Sequence, residues 1–174
     1  MRQQRQLRKK CAELIRRLQL PVPFDIDVLC ARIGESRGRP IRLAPLDLPA
    51  GSPCGLLVST ASTDYIFYAA DTTLTHQKHV IAHELGHLLL HEGSAGGSHA
   101  HDGNSLVPEE IDTALVSHMF GRSQYSHPEE FAAEYFATRM LRQVSDWDFV
   151  PPSAPEGMTD LVQRLERSLH HGQD

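Results

Sequence analysis

The sequence predicts an α+β fold in which helices dominate and one small sheet sits early in the chain. Three observations carry this. Apolar residues recur at helical spacing near both ends and in the middle of the chain. One stretch, from Pro40 to Ala70, is instead rich in β-branched and aromatic residues. Proline, glycine and small polar residues separate the two kinds of pattern. A chain of 174 residues, 40% of them hydrophobic and 22% charged, is long enough to bury a core and is not of disordered composition.

Taken in order, Leu7, Cys11, Leu14, Ile15 and Leu18 mark a first helix over 6–18, with basic residues on its wet face and Pro21 and Pro23 ending it. Asp25 is placed to cap a second helix carrying Ile26, Val28, Leu29 and Ile33, closed by Gly34. Ile41, Leu43 and the runs GLLVST and DYIFYA, broken by PAGSP and ASTD, predict two or three short, mostly antiparallel strands. A long helix over 75–91 follows, then a Gly-, Ser- and His-rich loop at 93–105. Pro108, Glu109 and Glu110 open a helix to about residue 120. Ser126, Pro128, Glu129 and Glu130 start another, to about 142. Beyond the PPSAPEG linker, Leu161, Leu165 and Leu169 form one stripe of a last helix over 159–170. The expected organisation is a domain over 1–145 with a loop and helix insertion at 93–125, then a linker and C-terminal helix over 146–174.

Charge and composition exclude several classes. A net charge of -5 gives no global drive toward nucleic acid or anionic membranes. The basic start MRQQRQLRKK lacks the apolar core of a secretory signal, and runs such as LLL at 88–90 are too short to span a bilayer. Cys11, Cys30 and Cys54 are odd in number and form no CxxC pair. They read as buried free thiols in a reducing, cytoplasmic compartment.

The chemistry concentrates in His83-Glu84-Leu85-Gly86-His87. Residues four apart on a helix lie about 40° apart and one turn up, so both imidazoles can face one ion. Glu84, one position on from His83, can reach a water beside that ion without ligating it, the HExxH arrangement of zinc peptidases. Val80, Ile81, Leu85, Leu88 and Leu89 supply an apolar face to anchor the helix. Gly86 costs helix stability, and its missing side chain would let another segment approach. His79 and His91 extend a ladder of histidines four apart, but only the middle pair is followed by a glutamate. They are expected at the surface or behind the ligands, and His99 and His101 in a solvated loop.

Zinc with an open position needs a third protein ligand. Glu130 and Glu134 sit four apart on one predicted helical face; one can ligate while the other orients a ligand imidazole. Glu109 or Glu110 is a rival source. Glu129 is placed to complement the helix dipole.

At these residues the chain resembles the ImmA/IrrE family of zinc metallopeptidases. That family pairs a HELGH helix with a downstream E-x-x-A-x-x-F-A helix. Here these are AHELGHLLLH (82–91) and Glu130, Ala133, Phe136, Ala137, preceded by PFDIDVLCARIG and a strand pair. The resemblance spans about residues 10–142. It implies a zincin-like fold with a small, mostly antiparallel sheet against an active-site helix. It also implies a gluzincin-like Zn2+ site of His83, His87 and Glu130, with Glu84 as catalytic base and Glu134, where the family often has Asn or Asp, behind the ligands. The family's Leu-Leu-Met-Pro-like continuation is replaced here by TRMLRQ, and the segment between the motifs is long. The resemblance further implies a cytoplasmic endopeptidase of narrow specificity, whose protein partner is a helix-turn-helix transcriptional repressor.

The expected reaction is metal-assisted peptide hydrolysis, with Glu84 moving the proton from water to the leaving amine. An extended substrate is expected along a sheet edge, at the 64–69 strand. Tyr125, His118 and His127 are candidates to stabilise the oxyanion, without a motif behind them. The competing function is a non-proteolytic zinc-containing regulator acting by protein binding; an intact Glu84 argues against it. Direct nucleic-acid binding through Arg2, Arg5, Arg8, Lys9, Lys10, Arg16 and Arg17 is not expected, because no helix-turn-helix signature follows.

Overall fold

The basic first helix proves to be a brace as much as a wet surface. The computed structural model describes residues 2–48, 52–90, 125–144 and 157–171. Helix α1 (Arg2–Leu18) buries Cys11 and Ile15. Lys10 Nζ donates to Leu90 O at 3.1 Å, setting a cation on the negative end of the central helix. Arg8 lies over the Tyr135 ring at 5.5 Å, and Cys11 Sγ approaches Ala132 O at 3.9 Å. One helix thereby fastens to two others.

Helix α2 (Ile26–Arg37) starts as its cap predicts: the Asp25 carboxylate accepts from Asp27 N at 2.8 Å and Val28 N at 3.1 Å. It does not close at Gly34. The helix runs on to Arg37 and ends on Gly38, whose φ of 68° is the left-handed cap. Gly34 serves a different purpose. A Cβ there would sit 2.9 Å from Arg39 O and 3.1 Å from Pro40 Cα, so it makes room for the chain turning into the sheet.

The sheet holds β1 (Ile41–Leu46), β2 (Gly55–Ser59) and β3 (Asp64–Ala69) in the order β1-β3-β2. β1 pairs parallel to β3 from Ile41 opposite Asp64 to Leu46 opposite Ala69; β2 pairs antiparallel, with Gly55 opposite Tyr68. The sheet is thus mixed, not mostly antiparallel, because β2 follows β1 in the chain but lies at the far side of the sheet, and the turn after Ser59 returns β3 between the two. The 64–69 strand is central, paired on both sides. The expectation of a sheet edge at 64–69 is thereby overturned; among the described residues the edges are β1 and β2.

Alternation along β3 divides the core. Ile66 and Tyr68 face the main cluster with Leu43, Leu57, Ile81, Leu85 and Phe136, while Phe67 and Ala69 face a second cluster with Leu46, Leu56 and Val58. The second cluster is closed by the last helix, α5 (Thr159–His171), through Leu165 and Leu169, with Met158 just before it. Burying such a leucine contributes about 1.5–3 kcal/mol. Asp47 N also donates to Glu166 Oε1 at 2.9 Å.

The main face carries α3 (Leu74–Leu90) and α4 (His127–Val144). Glu129 caps α4 by reaching back to Ser126, whose backbone N and Oγ both donate to Glu129 Oε2 at 2.8 Å. Cys11 and Cys30 are buried as expected, but Cys54, at the entrance to β2, is exposed. Among the described residues no helix is long and apolar enough to cross a membrane. The helix expected after Pro108 lies outside the described residues.

Candidate metal centre

Two helices that the sequence separates by a long segment meet at a glycine. A Cβ on Gly86 would lie 2.9 Å from Ala133 Cα, 3.2 Å from Ala133 O and 3.2 Å from Phe136 Cδ1. Its absence lets the backbone of α4 settle directly on α3. Small Ala132, Ala133 and Ala137 line the same contact, and Phe136 and Met140 fill the space around it. Ala133 is three residues after Glu130 and one before Glu134, so the close approach carries both acids to the histidine face.

His83 and His87 follow each other up α3 with Nε2 atoms 3.0 Å apart and rings at 75°. Glu130 Oε2 lies 3.2 Å from His83 Nε2 and 3.7 Å from His87 Nε2. No other group of three or more metal-type ligands comes as close among the described residues. The fit to an ion is direct. Bonds of about 2.0–2.1 Å in a tetrahedral site separate neighbouring donors by about 3.3 Å, and these three separations bracket that value. Two neutral imidazoles and a carboxylate, with solvent access past Glu130, also match the donor set of a catalytic rather than a structural site.

Glu84 turns from the same helix toward the sheet. It is only 7% exposed. Gly55 of β2 lies against it: a Cβ there would be 2.8 Å from Glu84 Oε1 and 2.5 Å from Val80 Cγ1. Burial, then the nearby charge of Glu130, pushes the Glu84 carboxyl up to about 8, against a lowering contribution from the Leu57 backbone N–H. Such an acid is poised to exchange a proton near neutrality.

Glu134 stands on the outer side of His83. Its Oε2 is 2.9 Å from His79 Nε2 and 3.6 Å from His83 Nδ1, and its Oε1 accepts from Thr138 Oγ1 at 3.2 Å. Burial raises its carboxyl, but the His79 hydrogen bond and charge, Thr138 and His83 together outweigh that and hold it below its ordinary value. His79, a third exposed, is thus held against Glu134 one turn before His83.

Tyr125, just before α4, stacks on His87 with ring centroids 3.5 Å apart and planes 10° from parallel. His127 is exposed at the start of α4. His91, His99, His101, His118, Glu109 and Glu110 lie outside the described residues. Leu57 and Gly55 were not singled out from the sequence. A glycine inside a strand pattern is itself a sign of close backbone approach, and was the one signal available.

The family model of the IrrE N-terminal-like domain, peptidase family M78, matches residues 24–114. The chain belongs to this peptidase family. The mixed α+β fold agrees with that membership, which brings with it a protein substrate. The matched stretch contains the HELGH helix but ends before α4, so Glu130 joins the histidines through tertiary structure alone. No curated protein and no solved structure matches the chain.

Proposed function

We propose that this M78-family chain is a zinc-dependent endopeptidase with a zincin-like site, in which His83, His87 and Glu130 hold the ion and Glu84 is the general base. The supporting observation is the convergence of three donor atoms within 3.0–3.7 Å beside a buried glutamate. Zinc, when bound, supplies Lewis acidity toward a carbonyl and a means of acidifying water. The protein's own groups do the rest. Glu84, ionised beside the bound cation, accepts the proton of the attacking water and returns it to the leaving amine. Glu134, anchored by His79 and Thr138, orients the His83 imidazole from its Nδ1 side.

The substrate enters as an extended chain along β2. Ala69 N donates to Cys54 O and Thr60 N to Thr63 O, which marks 54, 56, 58 and 60 as the residues hydrogen-bonded to β3. The peptide groups of Gly55, Leu57 and Ser59 then point to the edge that is unpaired among the described residues, and Leu57 N–H is the one that acts on Glu84. A polypeptide added to this edge passes directly over the base. A cytoplasmic helix-turn-helix repressor, cut at few sites, is the substrate the family resemblance favours.

The test is metal content beside cleavage. Wild type should bind one zinc per chain and cut a candidate repressor at a discrete site. His83→Ala, His87→Ala and Glu130→Ala should each lose metal and activity together. Full zinc affinity in Glu130→Ala would move the third ligand elsewhere.

A further inference from the structure

Peptide hydrolysis places negative charge on the scissile carbonyl oxygen as water attacks, and a preorganised donor aimed at that charge is commonly a large contributor to rate. Of the three side chains considered for this role, His127 is exposed at the head of α4 and His118 lies outside the described residues. Tyr125 is different. Its ring covers one face of the His87 imidazole at 3.5 Å and nearly parallel, so the phenol is packed against a ligand of the candidate centre. Its hydroxyl is buried. Burial, then the charges of Glu84, Glu130 and Glu129, raises the phenol above its ordinary value and keeps it protonated. Glu130, five residues on, fixes the same end of α4 to the cluster.

We propose that Tyr125 is a catalytic residue of this peptidase, its hydroxyl donating a hydrogen bond to the carbonyl oxygen as that oxygen becomes negative. The inference rests on the metal-centre reading above. In the step, the water oxygen forms a bond to the carbonyl carbon and the C=O π pair moves onto the carbonyl oxygen. Glu84 takes the water proton and later gives it to the amine nitrogen as the C–N bond breaks. Tyr125 keeps its own proton throughout. A phenol, with an ordinary pKa of about 10, is a protonated donor at neutral pH. The stack on His87 fixes the ring before substrate arrives.

The test compares wild type with Tyr125→Phe, which keeps the stacked ring and removes only the hydroxyl. The full chain is loaded with Co2+ and titrated by visible absorbance with acetohydroxamate, which presents an oxyanion, and separately with 2-mercaptoethanol, which presents a thiolate. Tyr125→Phe should take up Co2+ as wild type does and bind 2-mercaptoethanol equally well, while its acetohydroxamate Kd rises at least about tenfold. On a cleaved repressor, kcat should fall about 10²–10³-fold with KM little changed. An unchanged acetohydroxamate Kd overturns the proposal, as does equal weakening of both probes, which would assign the effect to the ring's packing. Co2+-loaded wild type that accepts the thiol but refuses the hydroxamate overturns it too. Wild type that binds no Co2+ sinks the metal centre itself, a result seen before either probe is added.

Discussion

Two buried carboxylates in this molecule meet opposite fates. Asp64, at the start of β3, is fully buried and held by two guanidinium groups, Arg37 Nη2 at 3.1 Å and Arg39 Nη2 at 2.6 Å. Its backbone N–H donates to Pro40 O, so the charged cluster locks the parallel pair β1–β3 where it begins. Glu84, on α3, is nearly as buried, yet no lysine or arginine pairs with it among the described residues. Its neighbours are a glycine, a valine and another carboxylate. Both acids lose their water on folding. In one case the chain supplies compensating cations and obtains a fixed corner of the sheet. In the other it supplies only a backbone N–H, that of Leu57, as suits the general-base role proposed for Glu84.

The contrast is tested hardest at the unpaired acid. Glu84→Gln should lower hydrolysis by about 10²–10⁴-fold while zinc stoichiometry stays at wild type; undiminished cleavage would remove Glu84 from the chemistry. The same variant reads the cost of the buried charge in metal-free protein. The folded carboxyl, at about 8, lies above its ordinary value of 4.5. Between those values the folded chain keeps a proton that the unfolded chain has released, so stability falls as pH rises through this window and levels off above it. Glu84→Gln lacks that loss, so its stability advantage over wild type should grow from about pH 4.5 to 8, to at most about 5 kcal/mol. Parallel denaturation curves across this range would show that Glu84 is solvated.

The paired acid should behave in the opposite sense. Asp64→Ala strands two guanidinium groups and should cost about 3 kcal/mol in urea unfolding. A loss below about 1 kcal/mol would mean that solvent screens the pairs as it does at a surface. Gly86→Ala sharpens the comparison from the side of packing. The added Cβ meets backbone and not a flexible side chain, so α4 must move, at about 1–3 kcal/mol. Zinc affinity should fall with it because Glu130 is displaced; unchanged affinity would show that the helices can part without opening the centre.

Much of this was legible in advance. The helical stripes of α1, α3 and α5, the Asp25 cap, the start of α4 near Ser126 and the HELGH spacing are all local, fixed by periodicities of 3.6 and by contacts within a few residues. Gly34 was misread because its reason for being small lies in Arg39 and Pro40, beyond the helix it sits in. Cys54 was placed inside on residue type alone, whereas it is exposed where the chain enters an edge strand. The free edge was assigned to 64–69 because an apolar strand run has the same appearance whether it ends up central or outermost.

The sequence by itself determined the two imidazoles and the carboxylate of one helical turn, because a helix converts spacing into direction without help from the rest of the chain. Which acid comes to lie beside the imidazoles, given beforehand by family resemblance and not by any spacing, which strand lies over Glu84, and which aromatic covers His87 were decided in three dimensions. Those choices depend on how closely α4 can approach α3 at Gly86 and on β3 returning between β1 and β2. Both are facts of packing between segments far apart in the chain, and no periodicity encodes them.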